Sequence, residues 1–172
     1  MSKVIVLLLL SFCLLGCAPS TSTYMKPEGN FGKATIDGCG QIPSTFRYES
    51  KKSAFKVTVY RNQILFGLEA VSNHEVKWSS SKLKVIVDGQ SHSLNVGEFK
   101  PSYLRQPCGG FAEAFNCAAI QHYYSDLELP NMMEASEVII IPPTPLINGK
   151  PMKVDRIKFN KVTETVWSAL NC

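Results

Sequence analysis

The chain predicts an all-β fold: a single antiparallel β-sandwich, immunoglobulin-like in preference to a barrel, with at most one short helix. Three observations carry that expectation. Apolar and polar residues alternate at period two in several short runs, turn dipeptides such as Asp88-Gly89 and Asn148-Gly149 separate the runs, and Val138-Ile139-Ile140-Ile141 is β-branched throughout.

Over 55–60, Phe55, Val57 and Val59 share one face while Lys56, Thr58 and Tyr60 share the other, which is the pattern of a half-buried strand. Residues 63–71 form a second, more apolar strand in which Gly67 marks a bulge or a close contact. The run 82–87 alternates again, meets Asp88-Gly89 and continues extended over 91–96. A two-residue Asp-Gly loop predicts a hairpin, because the turn that matches strand twist needs positive φ at both positions. Beyond it, Pro101, Pro107, Gly109 and Gly110 break regular structure, and Phe111, Phe115 and Ala118/Ala119 then recur at near-helical spacing. That spacing predicts a short helix over 111–122, with extended chain as the alternative, and a strand over 123–129 that Pro130 ends.

The apolar run 138–141 reads as a strand covered on both faces, flanked by Glu137 and Pro142. Pro142, Pro143 and Pro145 enforce an extended connection, Asn148-Gly149 turns the chain, alternation returns over 154–162, and a last short segment spans 165–170. Together these make about seven strands, the number of a small sandwich.

The first 36 residues have a different character. Lys3 is followed by an apolar run from Val4 to Leu15 that is too short for the ~20 residues of a bilayer-spanning helix. A charged start, a short apolar centre and a small exit residue are the features of an export signal. Its exit, Leu14-Leu15-Gly16-Cys17, resembles the lipobox of bacterial lipoproteins. The resemblance covers only about the first 17 residues, and no family is identified for the rest of the chain. It implies a signal peptide over 1–16, cleavage before Cys17, a diacylglyceryl group on the Cys17 thiol and acylation of the new amine. Two or more chains anchor stably where one is marginal. Ala18, standing where enterobacterial inner-membrane lipoproteins carry Asp, implies the outer membrane.

Residues 17–36 then read as a lipidated flexible tether, because Pro19, the Ser/Thr run 20–23, Pro27, Gly29, Asn30 and Gly32 offer little to bury. The sandwich domain is expected over 37–172. Losing residues 1–16, with Lys3 among them, takes 172 residues to 156 and the formal net charge from +4 to +3. So mild a charge does not favour nucleic acid as a partner.

With Cys13 in the signal and Cys17 lipidated, Cys39, Cys108, Cys117 and Cys172 remain, an even number in an exported chain, which predicts two disulfides. Cys108 with Cys117 and Cys39 with Cys172 is the simplest of the pairings. Zinc is disfavoured, since no two of the four have knuckle spacing.

No nucleophile elbow, His-Glu-x-x-His pair, phosphate-cradling glycine loop or calcium loop is present in the chain. His74, His92 and His122 are scattered and read as surface or hydrogen-bonded structural residues. The expectation is therefore a non-catalytic binding or accessory module in the cell envelope, held by lipid at Cys17, with an envelope protein as partner and no cofactor or metal. The alternatives are an envelope hydrolase acting on peptidoglycan, glycan or lipid, and a barrel carrying an apolar ligand. Tyr123, Tyr124, Met132 and Met133 are the candidate partner surface, because aromatic and methionine side chains beside loop breakers resemble interface cores. The bland alternative is that they fill the core.

Overall fold

A computed structural model describes residues 19–36, 42–106, 118–132 and 134–167. Cys17, the four cysteines expected to pair, and Met133 lie outside the described residues. The strands in chain order are β1 (Pro19–Gly29), β2 (Gly32–Thr35), β3 (Thr45–Ser50), β4 (Ser53–Tyr60), β5 (Gln63–Val71), β6 (Val76–Trp78) and β7 (Lys82–Val87). They continue with β8 (Gln90–Asn95), β9 (Lys100–Arg105), β10 (Ile120–Glu128), β11 (Glu137–Ile141), β12 (Pro145–Ile147), β13 (Lys150–Pro151) and β14 (Ile157–Trp167).

A five-stranded sheet has the order β1-β14-β11-β7-β8, and a six-stranded sheet has the order β2-β3-β4-β5-β10-β9. A small third sheet, β13-β12-β6, stands beside them. Neither large sheet closes on itself, so the architecture is the expected antiparallel sandwich and not a barrel. The core lies between the inner faces: Phe46, Tyr48, Phe55, Phe66 and Leu68 from one sheet meet Leu83, Val85, Val138, Ile140, Ile157 and Phe159 from the other. Each such side chain, fully buried, contributes about 1.5–3 kcal/mol. Trp78 stands edge-on to Phe55 and Phe66, at 5.7 and 5.4 Å between centroids, and its indole N–H donates to the Gly97 carbonyl.

The strands expected over 55–60, 63–71 and 82–87 form within β4, β5 and β7. Asp88 and Gly89 take φ of 45° and 84°, so the predicted hairpin turns as its dipeptide requires. The Asp88 carboxylate also accepts from the backbone N–H groups of Ser136 and Glu137, at 3.0 and 2.9 Å, which ties the hairpin to β11. Strand β11 itself is not covered on both faces as its apolar run predicts: Val138 and Ile140 are buried, Ile139 is half-buried and Ile141 is exposed. Of the helix expected over 111–122, residues 111–117 lie outside the described residues, and 120–122 open β10 as a strand, drawn into register with β5.

The tether is the largest correction. Residues 19–29 pair with β14 along the whole of β1, from Pro19 opposite Trp167 to Gly29 opposite Ile157. The Tyr24 hydroxyl donates to Glu164 at 2.6 Å, Lys26 pairs with the same carboxylate at 2.7 Å, and Met25 enters the core. The composition of 19–29 reads as a tether because its partner is some 140 residues away in the chain. Strand β11 covers β14 only over 157–160, so among the described residues 162–167 pairs with β1 alone. The result is a two-stranded ribbon, 19–24 against 162–167, that extends roughly 20 Å at ~3.3 Å per residue.

Where β2 meets β3, Gly32 is opposite Tyr48, and a Cβ on Gly32 would come within 2.6 Å of the Arg47 carbonyl oxygen and 2.5 Å of the Phe46 ring. Gly32→Ala should therefore lower the unfolding free energy by about 1–3 kcal/mol through overpacking. Urea denaturation checks this, with a midpoint equal to that of the parent as the contrary result.

Candidate functional site

Period two sends the aromatic residues of β3 to β5 inward, so it sends Arg47, Lys56, Gly67 and Glu69 to the outer face of the six-stranded sheet. His122 lies opposite Glu69 and Tyr124 opposite Gly67, which places both on that face. Register through Gly67 is unbroken, so the glycine does not mark a bulge, and a Cβ there would meet the Lys56 stem at 3.6 Å, an ordinary van der Waals contact. Lys56 brings its ammonium to 3.1 Å from Glu69 Oε1.

Glu69 is the centre of this face, with a side chain only 12% exposed. Arg47 grips it with two hydrogen bonds, Nη1 to Oε1 at 3.0 Å and Nη2 to Oε2 at 2.9 Å. Burial alone would raise the Glu69 pKa, but Arg47 and Lys56 outweigh burial and hold the carboxyl at about 2. His122 Nδ1 is 4.0 Å from Glu69 Oε1. Burial pushes the imidazole below its ordinary range against the pull of Glu69, so the ring is neutral at pH 7. Its Nε2 is buried without a hydrogen-bond partner, and the Tyr103 ring stacks on it with centroids 4.0 Å apart. Around this stack, register shifts between Gln121 and Tyr123, and the Gln121 amide donates to the Tyr103 and His122 carbonyls at 3.1 and 3.0 Å.

This chemistry holds charges in place; it does not suit proton transfer. A carboxylate with pKa about 2, both of whose oxygens are occupied by cations, is a weak base at neutral pH. Beside it is an open hollow of about 230 Å³ whose rim carries Lys51, Lys52 and Arg105. Among the described residues no group of three His, Cys, Asp or Glu side chains is placed to hold a metal ion.

Of the four side chains expected to form a partner surface, the three that are described do not come together. Tyr124 is 46% exposed on the outer face, whereas Tyr123 points inward, half-buried, with its hydroxyl donating to the His74 carbonyl. Met132 is fully buried in the core and presents no surface, because the turn after β10 folds it under the sandwich. Met133 lies outside the described residues. On the same outer face as Tyr124 the structure places a residue that the sequence did not single out, Tyr103 of β9, 57% exposed and stacked on His122, whereas Leu104, 51% exposed, is opposite Gln121 and so belongs to the other face. All six residues of β9 are exposed, so the strand lacks the alternation that reveals the others. No family model, curated protein or solved structure matches the chain.

The low pKa of Glu69 makes stability depend on acid. Its folded-state value is depressed, so the contribution is complete above the unfolded carboxylate range near 4.5 and is lost as pH falls toward 2. The contribution amounts to about 3 kcal/mol. Glu69→Gln should be less stable than the parent at pH 7, and the two curves should converge near pH 2. Chemical denaturation across that range checks it, and a constant gap between the curves would refute it.

Proposed function

We propose that this chain is an exported lipoprotein, anchored through Cys17, that binds an envelope protein without transforming it, and that the partner docks along β9 and β10. The observation that supports docking is the edge of the six-stranded sheet: among the described residues β9 is its last strand, wholly exposed, with Tyr103 on the same face as Tyr124. An open edge offers unpaired backbone groups to an added strand. Pro101 removes one donor from that edge, so aromatic side chains carry more of the recognition. Lys100 and Arg105 flank the aromatic residues and favour an acidic partner segment.

The ribbon supports the anchoring reading in a form different from a loose tether. Cys17 precedes β1 by two residues, so its Cα is within about 8 Å of Pro19. Pro19 and Trp167 are register partners, which puts both ends of the described chain at the ribbon tip. An anchored domain would then be held off the bilayer by a stiff ribbon, with the β9–β10 edge on the body of the sandwich. Loops and edges held away from a membrane are free to meet partners.

Mass spectrometry of protein extracted from membranes should find acylated Cys17 as the first residue, and Cys17→Ser should abolish lipidation. A mature protein that still begins at Met1 would refute the anchor.

Docking has a separate test. A photo-crosslinking side chain at position 103 or 124 should capture one discrete envelope protein, and one at position 84 on β7 should not. Tyr103→Ala with Tyr124→Ala should weaken that capture about tenfold or more with little change in thermal stability. Equal capture from all three positions would overturn the docking face.

A further inference from the structure

Where the ribbon leaves the sandwich, a cleft of about 830 Å³ opens between β1 and the ends of β3, β4 and β5. Its volume is within the range of small-molecule sites, roughly 300–1,000 Å³. Met25, Ile42, Val59 and Leu65 provide apolar wall. Thr45 and Thr58 also line it, and their hydroxyls hydrogen-bond each other at 2.7 Å, so one of the two O–H donors is already used within the wall. Among the described residues, the charged side chains of the lining are those of Arg61 and Lys161, and no carboxylate is among them. The nearest acid around Tyr24 is Glu164, which is already engaged by the Tyr24 hydroxyl at 2.6 Å and by Lys26 at 2.7 Å.

Arg61 is the residue placed to read a head group. It occupies the β4–β5 turn at φ 53°, with its guanidinium 5.2 Å from the Tyr60 ring centroid, and it forms no ion pair among the described residues. An exposed guanidinium at the mouth of an apolar cleft matches a ligand with one negative end and one hydrocarbon end. A wholly apolar ligand would leave that complementarity unused, and a polar one would not use the wall.

We infer that the cleft binds a single-chain anionic amphiphile, a long-chain fatty acid, with the hydrocarbon against Met25, Val59 and Leu65 and the carboxylate at Arg61. The site is distinct from the β9–β10 edge and depends neither on docking there nor on lipid at Cys17.

The test is titration of the full chain carrying Cys17→Ser, which has no attached acyl group, with palmitate and with hexadecanol of equal chain length. Palmitate should bind saturably at one per chain, and hexadecanol about tenfold more weakly, the loss expected for one charge-assisted hydrogen bond. Arg61→Gln, a change in an exposed turn, should weaken palmitate about tenfold and leave hexadecanol unchanged. Ser44→Trp, which adds bulk at the wall, should weaken both. Absence of saturable palmitate binding would overturn the inference, as would palmitate affinity unchanged in both variants. Equal affinity for the alcohol would overturn the anionic assignment. Loss of partner capture at the β9–β10 edge with palmitate binding intact would count against docking alone.

Discussion

The stack of rings between the two sheets is the constraint on which the rest depends. Tyr48 and Phe55 lie 6.0 Å apart, Phe55 and Phe66 lie 6.1 Å apart, and Phe46 meets Tyr48 edge-on at 5.0 Å. Phe46 and Tyr48 come from β3, Phe55 from β4 and Phe66 from β5, so together they lock the register of three neighbouring strands of one sheet. A slip of one residue would exchange the two faces of a strand, exposing a phenylalanine and burying a charge. The positions of Arg47, Lys56 and Glu69 on the outer face result from that lock. Tyr48 adds a bolt to the opposite sheet's approach, donating from its buried hydroxyl to the Asp155 carbonyl at 2.6 Å.

On the outer face, the charges around Glu69 form one solution to a packing problem. A β-sheet face with no covering layer must be solvated, yet here Glu69 and His122 are largely buried under Lys56, Arg47 and Tyr103. Burial of a carboxylate is favourable only when cations and hydrogen bonds replace its water. Arg47 does so with a planar fork that matches both carboxylate oxygens, and Lys56 does so from the neighbouring strand. The neutral His122 fills the remaining corner as a flat surface for Tyr103. This arrangement lies next to β9, the last strand of the sheet among the described residues.

The ribbon meets the cleft at the body of the sandwich. Thr23 belongs both to the ribbon and to the cleft wall, and Met25, the next inward residue of β1, belongs to the cleft wall and the core. At the other end of the sandwich, Trp78 closes the core by stacking on Phe99 at 4.1 Å, and the small sheet of β6, β12 and β13 seals that region.

The sequence alone determined the local terms. Alternation at 55–60 and 82–87, the Asp88-Gly89 and Asn148-Gly149 turns and the lack of catalytic spacing are all set by neighbours within a few residues, which is why the all-β sandwich was legible. What a residue meets across the chain was not. Residues 19–29 read as a tether and become a strand because β14 supplies their hydrogen bonds. Met132 reads as surface and is buried, and Tyr103 passes unnoticed until an edge strand lays it on His122. The Glu69 network and the cleft assemble from strands that are distant in sequence, and charge pairing and concavity have no period for a sequence to display. Tertiary structure decided them because hydrogen-bond partners and neighbours exist only once strands are paired.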